Sequence, residues 1–425
     1  MTAIVGILNK RAVAVAADSA VTIDCQCGHK VLNSASKLFQ LSKKEPVGIM
    51  VYSSATFMDT PWELIISLYR EHIEAKSFDT LKEYVGDFIQ FLRDNEFFCS
   101  NELKKEFLIR QLIFYYNDVR SIAQQKCIEE SGERQIPQQA VHNKMLQIFS
   151  EHITFYRSQP SCPDFTEYLL EEFIQDVQEE LIKVREIYSP NVTDIDTFKK
   201  MYEEAFWAYL CSSHVIFDMS GLVFVGYGKN EIFPGLIPYN LSFAINGKLK
   251  GNLDESGIRM ITDIHNAAIC PFAQKDVMMT IMTGIDEDIK RFTYDTASKC
   301  MTDYQNYIVS MLSIDQNDRS AKEIVETLDG STFVGFFRTQ VDEFIQQAYI
   351  KKLVETVAYL EKDDLANMAE NLILLTGLKK RITSSEETVG GPVDVAIISK
   401  GDGFIWMKKK QYFDKELNPH YSSYF

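Results

Sequence analysis

Glycine and proline are scarce in this chain, 20 and 11 among 425 residues. That is too few for a collagen-like, linker-rich or disordered polypeptide. Long apolar runs are missing too: the most apolar window, 208–228, holds His214 and Asp218 and fails as a membrane span. Basic residues are outnumbered, 44 Lys plus Arg against 60 Asp plus Glu, for a formal charge of −16. Such a chain repels nucleic-acid backbones and anionic membranes unless it carries a strong basic patch. The two short runs, Lys379-Lys380-Arg381 and Lys408-Lys409-Lys410, read as a helix C-terminal cluster and a solvated strand edge. Eight cysteines over this length are not a disulfide framework, and the Met-Thr-Ala-Ile-Val-Gly start lacks the regions of a secretory signal. No phosphate-binding loop, dinucleotide fingerprint or His-Glu-x-x-His motif occurs, so no cofactor is expected. These absences leave a cytoplasmic globular protein that binds neither nucleic acid nor membrane.

What is present is 46% hydrophobic residues, ample for a core, over a length of two to three ordinary domains. The chain opens with two apolar strands, 3–8 and 12–17, around the polar turn Asn9-Lys10-Arg11. Further strands are expected at 37–41 and 47–52. From Pro61 the spacing of Trp62, Ile65, Ile66 and Tyr69 becomes helical. Helical signals then continue to about Tyr209, broken at Pro137 and at 159–164. Phe107, Leu108, Leu112 and Tyr115 make one apolar face, and Tyr168, Leu169, Phe173 and Val177 another. The run Phe114-Tyr115-Tyr116 reads as helix core. Strands return at 221–228 and 239–245. Helices are expected at 263–283, 286–312 and 321–380, and a closing strand pair at 393–398 and 404–407. That order fits layers of helix on antiparallel sheet.

Chemistry is first suggested by Thr2. A small second residue permits removal of Met1, and a threonine with a free α-amine holds a nucleophile and a base in one residue. Asp18 stands at the mouth of the first hairpin, within reach of its first residue. Lys37 opens the third strand, where a cation beside the Thr2 hydroxyl would lower its pKa. Backbone amides near Tyr52 and Ser53 would supply an oxyanion hole. Cys25, Cys27 and His29 are too closely spaced, and lack the fourth ligand, for a zinc site, so no metal is expected.

With Thr2, these segments resemble a known family: Ala16-Ala17-Asp18-Ser19, Lys-Leu-Phe-Gln-Leu at 37–41, Gly-Ile-Met-Val-Tyr at 48–52, Gly-Leu-Val-Phe-Val-Gly-Tyr-Gly at 221–228, and the closing stretch 390–403. They are similar to proteasome β-subunits and HslV-type peptidases, the N-terminal-nucleophile (Ntn) hydrolases. The resemblance implies an α+β fold, a four-layer αββα sandwich, with core parts at 1–90 and 213–425. An all-helical insertion at 91–212 and extra helices at about 286–354 lie outside it. It makes Thr2 the nucleophile and base, Asp18 the lysine-orienting carboxylate and Lys37 the tuning cation, with Lys30 the competitor for that role. Ser19 matches the family's serine beside the aspartate. Tyr52 and Ser53 stand where the family has paired glycines. Glu386 is the candidate for a supporting acid, and no serine matches the family's at 271–274. The implied activity is cleavage of peptide or other small amide bonds through an acyl-enzyme, by a homo-oligomer, with a separate ATPase unfoldase for folded substrates. The alternative is a non-catalytic proteasome-like assembly subunit.

Overall fold

The computed structural model describes residues 3–25, 28–74, 76–94, 101–132, 135–188, 194–215, 219–312, 330–383, 389–411, 413–414 and 417–418. The fold is mixed α+β with antiparallel sheets, and it divides into two compact units. The first comprises 1–35, 260–397 and 405–425; the second comprises 36–259 and 398–404. Among the described residues no helix is long and apolar enough to cross a membrane.

In the first unit, β1 (Ala3–Asn9) and β2 (Val13–Ala17) pair antiparallel, with Ile4 opposite Ala17 and Leu8 opposite Val13. The turn is fixed by Asn9. Its fully buried side chain accepts from the Arg11 and Ala12 N–H groups and donates to the Val357 and Leu360 carbonyls. A small hairpin follows, β3 (Val21–Cys25) with β4 (Gly28–Leu32). After the second unit's β5 to β12, given below, β13 (Ala267–Ala273) pairs with β1 along its whole length. The closing strands are β14 (Asp394–Ser399) and β15 (Gly403–Lys408), and the sheet order is β13-β1-β2-β14-β15. This corrects the expectation of one helix over 263–283. Pro271 cannot continue a helix, but an edge strand tolerates it. Only Asp276–Thr283 is helical there.

The second unit is built on the sheet β11-β10-β9-β6-β5. Its strands are β5 (Leu38–Gln40), β6 (Val47–Ser53), β9 (Ser220–Gly226), β10 (Gly235–Ile245) and β11 (Lys248–Leu253). The short pairs are β7 (Thr56–Phe57) with β8 (Thr60–Pro61), and β12 (Arg259–Met260) on β10. The helices are α1 (Trp62–Ile73), α2 (Leu81–Asp94), α3 (Asn101–Ser131), α4 (Gln138–Ser158), α5 (Leu170–Asp176), α6 (Gln178–Tyr188) and α7 (Ile195–Cys211). Aromatic residues fill its core. Trp62 and Tyr69 of α1 meet Phe88 of α2, which packs edge-on to Phe224 of β9. Tyr115 of α3 meets Tyr202, Phe206 and Tyr209 of α7. Each such ring buries roughly 150–250 Å² and adds about 0.5–1.5 kcal/mol per ring pair beyond that. Two expected core residues are exposed, Phe114 and Leu169. Leu169 precedes α5 and so does not share the face of Phe173 and Val177.

The first unit's helices are α8 (Asp276–Thr283), α9 (Glu287–Leu312), α10 (Gly330–Ile345), a π-helical turn at Gln346–Ile350, α11 (Lys351–Tyr359) and α12 (Lys362–Thr383). Helix α12 buries Leu365, Ala366, Ala369, Leu372, Ile373 and Thr376, and it packs on β1 and β2. The spacing of three and four makes one stripe, and the alanines of β2 let the helix approach closely. Leu365, Leu372 and Ile373 each contribute about 1.5–3 kcal/mol by burial. The basic run at its C-terminal end is spent on ion pairs, Lys379 with Asp286 and Lys380 with Asp276.

Candidate functional site

Asp18 follows β2, so its carboxylate stands at the head of β1. Asp18 is 1% exposed. One carboxylate oxygen accepts the Ala3 N–H at 2.9 Å; the other accepts from Ala20 at 3.2 Å and Gly390 at 3.3 Å. The Asp18 N–H in turn donates to the Ala3 carbonyl. The carboxylate thus joins the first described residue of β1 to the loop that leads into β14. Ser19, fully buried, ties the same loop: its hydroxyl donates to the Pro392 carbonyl at 2.7 Å, and its N–H donates to Gly390. Thr2 and Glu386 lie outside the described residues, as do Cys27 and the side chains of Cys25 and His29. Among the described residues no group of three or more His, Cys, Asp and Glu is arranged to hold a metal ion.

The other candidates belong to the second unit. Lys37 is 4% exposed, and its carbonyl accepts the Val51 N–H at 2.8 Å, which fixes it just ahead of β5. Lys30, by contrast, is exposed on β4 of the first unit. Tyr52 and Ser53 end β6 opposite Gly221 and Ser220. The Tyr52 ring lies over Gly221, the one residue type that leaves room for it, and burial pushes its phenol up to about 12. Ser53 has φ +68°, the left-handed conformation that glycine adopts without strain and other residues rarely take. The exposed serine thus adopts a conformation that favours glycine, at a position where the resemblance places one.

One buried cation was not singled out in the sequence. Lys250 of β11 is 1% exposed, and its ammonium donates to the carbonyls of Tyr209 (2.8 Å), Leu210 (3.3 Å) and Ser212 (2.5 Å). These carbonyls stand at the C-terminal end of α7, where positive charge is favoured. It also sits 4.4 Å from the Tyr209 ring centroid. Burial pushes Lys250 down to about 8, and it raises the thiols of Cys162 and, to about 12, Cys211. The group caps a helix, and its thiol neighbours stay protonated. No local pattern marks it, because Leu249, Lys250 and Gly251 are buried in succession rather than in alternation.

This lysine makes stability depend on pH. Below pH 8 it is charged in both states, and the folded state carries the cost of burying it. Between about pH 8 and 10.5 the folded amine is neutral while the unfolded one still holds a proton. Stability therefore rises with pH across that window, by an amount on the order of 3 kcal/mol. In paired urea titrations, the wild type should gain that much over Lys250→Met between pH 8 and 10.5. A gap that does not change with pH would contradict the assignment.

A cleft of about 510 Å³ in the second unit is lined by Glu102, Lys104, Lys105, Asp176, Glu180 and Asn246, among others, and by none of the candidate residues. Its charges are of both signs, and Lys105 is already paired with Glu179. No family model and no curated protein sequence matches this chain. The functional reading therefore rests on the chain's own residues.

Proposed function

We propose that this chain is a proteasome-like N-terminal threonine hydrolase with a four-layer αββα core, acting on peptides or other small amides. What carries the reading is the Asp18 carboxylate on the Ala3 N–H at 2.9 Å, a buried acid beside the residue that follows Thr2. Burial of Lys37 and the left-handed Ser53 support it.

In this mechanism Met1 is removed and the α-amine of Thr2 takes the proton of its own hydroxyl. The oxygen attacks the amide carbonyl carbon. The C–N bond breaks as the departing nitrogen takes that proton, leaving an ester on Thr2. Water, deprotonated by the same amine, hydrolyses the ester. The resemblance gives Asp18 the role of a lysine-orienting carboxylate, Lys37 that of the cation that lowers the hydroxyl pKa, and the backbone amides at Tyr52 and Ser53 that of the oxyanion hole.

The second reading is a non-catalytic assembly subunit of the same fold. The stretch Pro271-Phe272-Ala273-Gln274 carries no hydroxyl where the family has a serine, and this favours it. Two measurements separate the readings. Intact mass of the purified chain should lack one methionine. A β-lactone, whose ring carbonyl the threonine hydroxyl opens, should label Thr2 in the wild type and leave Thr2→Ala unlabelled. A retained Met1, or equal labelling of Thr2→Ala, sinks the hydrolase reading.

A further inference from the structure

Helices α9 and α10 form an antiparallel hairpin within the first unit. Its inner side is polar and well made. Tyr294 donates to Asp342 at 2.9 Å, Lys290 pairs with Asp342 at 2.7 Å, and Arg338 lies over the Tyr294 ring, which also meets Phe337. Met301 faces Gly330 at the other end.

The apolar residues are elsewhere on these helices. Phe292, Tyr304 and Tyr307 on α9 are 72%, 60% and 56% exposed, and Phe333, Phe336 and Phe344 on α10 are 54%, 63% and 64% exposed. At about 100° per residue, each set falls within an arc of roughly 120° or less. Both arcs are turned about 100–140° from the α9–α10 contact. Because the helices run antiparallel, those turns bring the two stripes to the same side of the hairpin. Asp303 is the one charged residue inside either arc, and it lies toward an edge.

Taking about 200 Å² per aromatic side chain, the exposed part of these six comes to roughly 700 Å². That exceeds the apolar patch of about 300–600 Å² found on an ordinary monomer. It approaches the ~800 Å² per partner of a specific complex. The patch also has the composition of an interface centre, rich in aromatics and nearly free of charge. A lipid surface fits less well: α9 and α10 together hold four basic and six acidic residues, the reverse of a membrane-binding helix.

We propose that this face is a self-association surface on which the same face of a second copy sits, forming a twofold contact of four helices. One patch meeting itself across a twofold axis needs no second binding surface, and pairing buries all twelve rings. The inference does not depend on the hydrolase reading, since none of these residues belongs to that site.

The full chain should sediment as a dimer, or as a dimer-based assembly, at tens of micromolar. Phe292→Glu/Phe336→Glu should halve its mass towards the 48.8 kDa chain without changing the circular dichroism or Tm. Ile232→Glu, at a 77% exposed position in the second unit, should keep the wild-type mass. A monomeric wild type, or a double variant that keeps the wild-type mass, overturns the proposal. So does a monomer that binds phosphatidylcholine vesicles through the same phenylalanines.

Discussion

Asp18→Ala is expected to cost on the order of 3–6 kcal/mol of unfolding free energy and, on the proposed hydrolase reading, to lose β-lactone labelling of Thr2. The carboxylate satisfies three backbone donors, of Ala3, Ala20 and Gly390, at a residue only 1% exposed, and alanine offers them no acceptor. Each buried N–H left without an acceptor costs about 1–3 kcal/mol, the higher end applying where a charged acceptor is removed. Against a total stability of roughly 5–15 kcal/mol, this is a large share. Asp18→Asn should fall between wild type and Ala. It keeps one acceptor oxygen but turns an amide NH₂ toward N–H groups that themselves need an acceptor. Urea unfolding of the three proteins, with β-lactone labelling at full folding, checks both consequences. A loss below about 1 kcal/mol in Asp18→Ala would mean that these bonds contribute little net stability.

The parts of this arrangement that could be read in the sequence are those with a local cause. The first hairpin announced itself through two apolar runs around Asn9-Lys10-Arg11, and α1 through the spacing of Trp62, Ile65, Ile66 and Tyr69; both are present. The closing hairpin was equally plain from its apolar strands around Lys400-Gly-Asp-Gly403. Where the cause is distant, the reading failed. Strand β13 looks helical because its neighbours do, and only its pairing with β1, some 260 residues away in the chain, makes it a strand. Strand β11 was missed although Asn246-Gly247 is a strong hairpin signal. Both residues take positive φ, 46° and 74°, as a two-residue turn of this kind requires. The polar residues of β11 hid it: Lys250 is buried by its bonds to the end of α7, which no local pattern encodes. Asp18 could be picked out because it ends an apolar strand, but its donors lie as far as 372 residues from it in the chain.

Gly226→Ala should be severely damaging, leaving no folded protein to purify. Gly226 ends β9 with φ +129°, a backbone angle that a residue with a β-carbon rarely adopts. A β-carbon there would also stand 2.0 Å from the Pro46 carbonyl oxygen and 3.0 Å from the Val47 Cα. Neither neighbour can yield. The Pro46 oxygen accepts the Tyr227 N–H at 3.1 Å, Val47 is the register partner of Gly226 on β6, and Gly235 holds it from β10. Relief requires a backbone shift of about an ångström or more in the central strand of the second unit's sheet, against cross-strand bonds on both sides. The combined clash and strain put the cost above about 4–5 kcal/mol, the range reserved for single changes with a specific structural cause. Gly86→Ala supplies the contrast. It lies on the exposed face of α2 with open space around its β-carbon, and alanine there should stabilise the chain by about 0.5–1 kcal/mol. Soluble yield and Tm of the two variants, side by side, test the reasoning. If Gly226→Ala folds within about 1 kcal/mol of wild type, the backbone of β9 is not held as described, and the approach of Pro46 to that strand has to be redrawn.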